Sequence, residues 1–316
     1  PDLPRGSLGL RHGVDRTGRP DRPTGRGRSH AAAVVWQRGP MQLNPRYGPD
    51  PVIVFDGSPA AIAEPTIRQR RRLAEALASF GPDEWAHPSR CDGWSCREVI
   101  VHLDSTNAFW SYSISSGRKG EPTELLATFD PVASPAELVA ASDRVSDDEV
   151  LERFVASTDA LVEVLASLDE ADWSATAEAP PGHLSVSAVT HHALWDSWIH
   201  ERDVLLPLGH AADEEPDEVA AALRYAAALG PAFAVERKTG VSGVLAIEVT
   251  DPDVALVVEI GEQAAVRSGS ADADLVLRGG AVDLLEALSR RRPLDAEVPP
   301  QSAWMLDGVD EVFEQT

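Results

Sequence analysis

Cysteine is nearly absent from this chain of 316 residues, which has Cys91 and Cys96 and no other. Their spacing fits neither a C-x-x-C redox pair nor a zinc knuckle, so there is no disulfide framework to read, and a reduced, cytoplasmic setting is the expectation. Both are expected to act as small buried hydrophobes. Long apolar runs are also missing: nothing approaches the roughly 18 residues of a membrane span, and residues 31–36 are too few for a secretory core. No G-x-S-x-G elbow, Walker loop or G-x-G-x-x-G occurs, which removes support for a serine hydrolase, a phosphate-cradling NTPase or a dinucleotide enzyme. Basic charge is scarce after residue 40. Residues 1–40 carry eight Arg against three Asp, whereas residues 41–316 hold 20 basic and 48 acidic side chains. That body should repel nucleic acid and anionic membranes.

What is present divides the chain. Residues 1–62 read as a disordered basic tail and an irregular lead-in, because residues 1–40 are rich in Arg, Gly and Pro with almost nothing to bury. An upstream frame translated ahead of a true start at Met41 accounts for that bias, and the tail is expected to add nothing to folding. Ile67, Leu73, Leu77 and Phe80 then mark one face of a first helix, stopped at Gly81-Pro82. Ser95-Cys96-Arg97-Glu98 is a capping box that opens a second helix. Ser134-Pro135-Ala136-Glu137 begins a short one. Leu151, Phe154, Leu161, Leu165 and Leu168 line the face of a third long helix, and a fourth runs from about Ser187 to Leu206. A further helix is expected from Pro216 to Leu229, ended by Gly230-Pro231.

After that helix the apolar period changes from about 3.6 to 2. Leu245, Ile247 and Val249 alternate, Asp251-Pro252-Asp253 turns, and Val254, Leu256, Val258 and Ile260 alternate again, giving a hairpin. Short strands near Ala265 and Leu275 precede a helix from Ala281 to Ser289. Arg290-Arg291-Arg292 would close that helix and complement its dipole. The expected fold is α+β: an up-and-down four-helix bundle over residues 63–235, a small α+β domain over 240–298, and a tail over 299–316.

The chemistry concentrates in the fourth helix. At about 100° per residue Asp196 and His200 lie one turn apart on one face, with Val189, His192 and Asp203 in the same sector. A carboxylate and an imidazole so spaced suit a divalent ion of the zinc type, which needs a further ligand, and His102 on the second helix is the best supplier. The same pattern also suits a solvated face or a hydrogen-bonded core pair. Arg97, Arg202 and Arg278 are the cations that could meet an anionic substrate. The sequence singles out no catalytic residue and no residue for a cosubstrate.

Trp85, Cys91-Asp92-Gly93-Trp94-Ser95, Arg97-Glu98-Val99-Ile100-Val101-His102-Leu103 and Asp196-Ser197-Trp198-Ile199-His200-Glu201-Arg202-Asp203-Val204 together resemble the mycothiol-dependent maleylpyruvate isomerase family of actinobacteria. Ala271–Gly280 followed by Leu284-Leu285 is similar to the sterol-carrier-like C-terminal domain of that family. The resemblance spans residues 63–295. It implies a DinB-like bundle, a zinc-type ion on His102, Asp196 and His200, and a mycothiol-type thiol as cosubstrate. Asp196 stands where the family pattern has Glu, one methylene longer.

Three protein ligands leave a coordination position at which a thiol binds as thiolate. The expected function is therefore thiol-dependent isomerisation of a maleyl-type acid, or thiol transfer to an electrophile, by a monomer or small homo-oligomer. The partners are a small-molecule thiol and an electrophilic substrate, with no nucleic acid and no membrane. The alternative is a non-catalytic metal- or ligand-binding protein of the same fold.

Overall fold

A computed structural model describes residues 43–131, 133–237 and 240–312. The tail 1–40, its start at Met41 and residues 313–316 lie outside the described residues. Several of the helices begin at a capping side chain. Residues 63–77 make α1 (Ala63–Leu77), followed by a single turn, α2 (Pro82–Trp85). In α3 (Cys96–Gly117) Ser95 and Glu98 make the reciprocal capping contacts, with Glu98 Oε2 accepting from Ser95 N at 2.6 Å. The short α4 (Ala133–Ala140) begins one residue before Ser134, because Asp130 Oδ1 takes the Ala133 N–H at 2.8 Å and thereby fills the capping role. Ser146 caps α5 (Asp147–Ala166), and Ser185 caps α6 (Val186–Leu205).

Residues 176–185, expected only to break the chain, fold into a hairpin of β2 (Thr176–Ala179) and β3 (Gly182–Ser185). Gly182 has φ +121°, and a Cβ there would lie 2.1 Å from the Arg46 carbonyl, so only glycine permits the lead-in to lie across the hairpin. Helix α3 packs against α5 and α6, and α1 against the same two, which makes the second and fourth bundle helices neighbours. Nearly every residue of α6 is buried, so it forms the centre of the bundle.

Helix α7 (Pro216–Arg237) runs straight through Gly230-Pro231, where a stop was expected. Tertiary packing outweighs the missing N–H of Pro231: the helix is enclosed by α6, the sheet and α9 (Trp304–Val312), which lies within the segment read as a tail. Its Pro216–Val235 window is long and apolar enough to cross a membrane, but 83% of it is buried inside the protein.

The hairpin of β4 (Gly243–Thr250) and β5 (Val254–Ile260) has the expected alternation, with Leu245 opposite Val258 and Ile247 opposite Leu256. With β6 (Ala264–Ser268) and β7 (Leu275–Gly280) it builds a five-stranded sheet of order β1-β6-β5-β4-β7. The outermost strand, β1 (Ile53–Phe55), comes from the lead-in and pairs in parallel with β6. Helix α8 (Ala281–Leu288) follows β7. One apolar cluster runs from the sheet through α7 into α6, and a second fills the α1–α3–α5 end of the bundle.

Candidate metal centre

The capped start of α3 fixes the rotation of that helix and brings His102 to the α6 face that carries Asp196 and His200. His102 Nε2 and His200 Nε2 lie 3.8 and 3.6 Å from Asp196 Oδ1. One donor atom from each of the three lies within 4.8 Å of the others. Donors on a tetrahedral zinc sphere are about 3.4 Å apart, so the carboxylate reaches both imidazoles with only tenths of an ångström to close. The side chains are 15, 13 and 11% exposed for His102, Asp196 and His200, which leaves an opening on otherwise buried groups.

The surroundings orient these donors. Thr106 Oγ1 donates to Asp196 Oδ2 at 3.4 Å and leaves Oδ1 to the histidines. Asp203 Oδ2 lies 3.0 Å from His200 Nδ1 and orients the ring so that Nε2 faces Asp196. A ligating histidine whose other nitrogen is held by a carboxylate is the usual supporting arrangement at zinc. Burial by itself would raise the Asp196 pKa, but the hydrogen bond to His102 and the nearby imidazoles hold it well below the carboxylate range. Burial would lower the His200 pKa, yet Cys91, Asp203 and Asp196 outweigh it and raise it to about 10. Both shifts show a site that favours positive charge between these groups. The donor set and its support fit a divalent ion of the zinc type.

Asp203 is the residue whose role the sequence did not disclose. Fully buried, it accepts from Arg291 Nε and Nη2 at 2.9 and 2.8 Å and from Cys91 Sγ at 3.3 Å. Burial would raise its pKa as well, but His200 and Arg291 keep it far below the ordinary value. Cys91 is buried as expected, but its Sγ lies 3.6 Å from His200 Nδ1 and 3.6 Å from Arg291 Nη2. Cys91, His200 and Asp203 thus form a second donor group that shares His200, and the Arg291 guanidinium already supplies its cation.

Arg291 does not merely close a helix. Arg290 adopts φ 64° and turns the chain so that the next side chain reaches the bundle. The i, i+3 spacing of His200 and Asp203 was a signal for their contact, whereas nothing local announced Arg291. Of the cations expected near substrate, Arg97 is held by Asp147 and the Ser142 and Val145 carbonyls. Arg202 is held by Glu286 and Glu214, and Arg278 by Glu248 on the sheet.

One turn before Asp196, His192 sits among Trp110, Trp195 and Tyr225 with ring centroids 4.7, 5.3 and 4.9 Å away. Trp110 Nε1 is buried with no hydrogen-bond partner among the described residues. Leaving such a donor without an acceptor costs about 1–3 kcal/mol.

Residues 67–205 match the family model described as the mycothiol maleylpyruvate isomerase N-terminal domain. Two solved structures have a similar fold: the crystal structure of the mycothiol-dependent maleylpyruvate isomerase and that of a histidine-to-alanine mutant of it. Each aligns at a TM-score of 0.53 and 17% identity over 76% of this chain and 93% of the other. A search of curated proteins returned no match. At that identity the structural likeness carries the fold alone, and the segment similar to the mycothiol maleylpyruvate isomerase N-terminal domain contains His102, Asp196 and His200.

Proposed function

We propose that the chain is a metal-dependent enzyme that uses a low-molecular-weight thiol of the mycothiol type, either to isomerise a maleyl-type acid or to transfer the thiol to an electrophile. The observation that carries this reading is the convergence of His102 Nε2, Asp196 Oδ1 and His200 Nε2, with the other nitrogen of His200 held by Asp203. His102, Asp196 and His200 would hold a zinc-type ion, which when bound lets a coordinating thiol exist as thiolate at neutral pH. Around that position the protein supplies orientation and dryness. Thr106 and Asp203 fix the ligands, whose sequence neighbours Trp195, Ile199, Val101 and Leu103 are buried in the two apolar clusters. In the isomerisation, sulfur adds to one alkene carbon, the former double bond turns, and the same sulfur leaves to give the trans acid. Transfer would end at the addition or at displacement of a leaving group.

The non-catalytic binding reading is favoured by one observation: Arg97, Arg202 and Arg278 are all engaged by acidic or carbonyl partners within the protein. Assay of the zinc-loaded protein on maleylpyruvate and on a panel of electrophiles, with and without mycothiol, decides between the two. Turnover that requires both metal and thiol supports the enzyme. Tight binding of both without turnover of any substrate supports the binding protein.

A further inference from the structure

Arg70 of α1 is 0% exposed. Its Nε donates to Asn107 Oδ1 at 2.8 Å, its Nη1 to Gln69 Oε1 at 3.2 Å and its Nη2 to the Ala193 carbonyl at 3.0 Å. All three acceptors are neutral, and no carboxylate among the described residues touches the guanidinium. Burial lowers its pKa to about 10, so the charge persists at pH 7. A charge withdrawn from water with no counter-ion in contact works against folding, and an apolar side chain of similar size could fill the same space without that penalty. The fold therefore carries a buried positive charge for which packing offers no reason.

The acceptors place that charge beside the candidate metal ligands. Asn107 follows Thr106, whose hydroxyl reaches Asp196 Oδ2, and Ala193 lies three residues before Asp196 on α6. Other buried carboxylates nearby have arginines of their own. Glu201 takes bonds from Arg72 at 2.9 and 2.8 Å, and Asp203 takes them from Arg291 at the same two distances. Asp196 has no arginine in contact among the described residues, and of the carboxylates it acts most strongly on Arg70, ahead of Glu201. Two neutral imidazoles and one carboxylate would leave a divalent ion with one net positive charge, to which Arg70 adds a second. That sum favours an anion over a neutral molecule at the open position.

We propose that Arg70 is a positioning residue that acts through its charge: it raises the positive field at the centre of His102, Asp196 and His200, which weakens the metal ion and strengthens any anion that joins it, a thiolate above all. This role rests on the reading of those three residues as the centre at which the thiol binds. A thiol that enters gives its proton to solvent, and the sulfur remains as the anion that balances Arg70. The two effects have opposite signs. Loss of the contacts with Asn107 and Ala193 alone would instead loosen α1 against α3 and α6 and weaken every ligand together.

The test uses the full chain and two probes of opposite charge. Arg70→Met removes the charge and keeps much of the volume. Zinc, read by chelator competition, should bind it about tenfold tighter, and azide, titrated against the visible spectrum of the cobalt-loaded protein, about tenfold weaker, as a unit charge about 10 Å away at an effective dielectric of about 20 would give. Imidazole, a neutral ligand, should bind the cobalt-loaded variant as it binds the parent. Asn107→Asp is the second variant: it sets a carboxylate on Arg70, keeps the Oδ1 acceptor, and lets the Thr158 hydroxyl donate where it now accepts. It should move zinc and azide in the same two directions, and it decides the matter if Arg70→Met does not fold. Zinc and azide that weaken together, or that both stay at the parent values, overturn the proposal and leave Arg70 as a tie between helices. A parent that binds no zinc, or no azide once loaded with cobalt, overturns it as well. If the opposite shifts are seen yet no electrophile is turned over with thiol, the enzyme reading falls and the role of Arg70 stands. Thiol-dependent turnover without the opposite shifts retains the enzyme and removes that role.

Discussion

His200 Nδ1 lies 3.0 Å from Asp203 Oδ2, and the same oxygen accepts from Arg291 Nη2 at 2.8 Å. One buried carboxylate thus links a candidate metal ligand to the segment that follows α8. Asp203→Asn keeps the shape, but it removes the charge and allows the amide to face the ring the wrong way. It should weaken zinc by about 10- to 100-fold, read by chelator competition. Parent-like affinity in the variant would mean that His200 is oriented by packing alone.

The three candidate ligands make a sharper expectation. His102→Ala and His200→Ala should each abolish tight binding, since the remaining pair chelates poorly, and Asp196→Ala should do the same. Asp196→Glu should retain the ion. The parent should hold about one zinc per chain. Metal analysis after dialysis of each variant decides it, and Ala variants that bind like the parent would identify the cluster as structural.

Helices α7 and α9 cross at two glycines. A Cβ on Gly308 would lie 2.1 Å from the Gly230 carbonyl, and one on Gly230 would lie 2.8 Å from the Met305 carbonyl. Backbone cannot yield as a side chain can, so Gly308→Ala should cost about 1–3 kcal/mol and lower the thermal midpoint by several degrees. Zinc content should not change, because the atoms nearest these two positions belong to α7 and α9 and none to a candidate ligand.

His191 stacks on Phe55 of β1 at 4.4 Å and is 2.8 Å from the Ser187 carbonyl through Nδ1. Burial depresses its pKa to about 4. The unfolded chain, with an ordinary histidine pKa near 6.5, binds more protons than the folded one between these values. The stability contributed by neutral His191 is complete above about pH 6.5 and is lost as pH falls towards 4, by at most about 3 kcal/mol. The drop in thermal midpoint between pH 7.5 and pH 5 should be smaller in His191→Gln than in the parent. An equal drop in both would assign the acid sensitivity to other groups.

Capping boxes and apolar period located the long helices because both are local: Ser95 and Glu98 announce α3, and the spacing of Leu161 and Leu165 marks α5. The hairpin of β4 and β5 was legible for the same reason. Strand β1 has three residues, too few for a period, and it is defined by a partner more than 200 positions away. Pro231 misled because a local rule for helix ends lost to burial on every side. The trio of His102, Asp196 and His200 could be assembled from helical spacing. Arg291 could not, since its contact with Asp203 spans 88 positions and depends on the turn at Arg290.

The lead-in that crosses the β2–β3 hairpin and then lines the sheet as β1 has a mechanical consequence. Arg46 N bonds to the Pro181 carbonyl, Val52 N to the His183 carbonyl, and Ala264 N to the Val52 carbonyl, so one short stretch is stitched to both the bundle and the sheet. At α8 and the residue after it, Trp195 bonds to Ser289, and Arg90 and Arg202 bond to Glu286. A layer fastened at two places cannot swing open about one hinge without breaking a seam. Rigid displacement of the sheet from the bundle would have to break both sets of bonds, whereas rotation of single side chains would break neither.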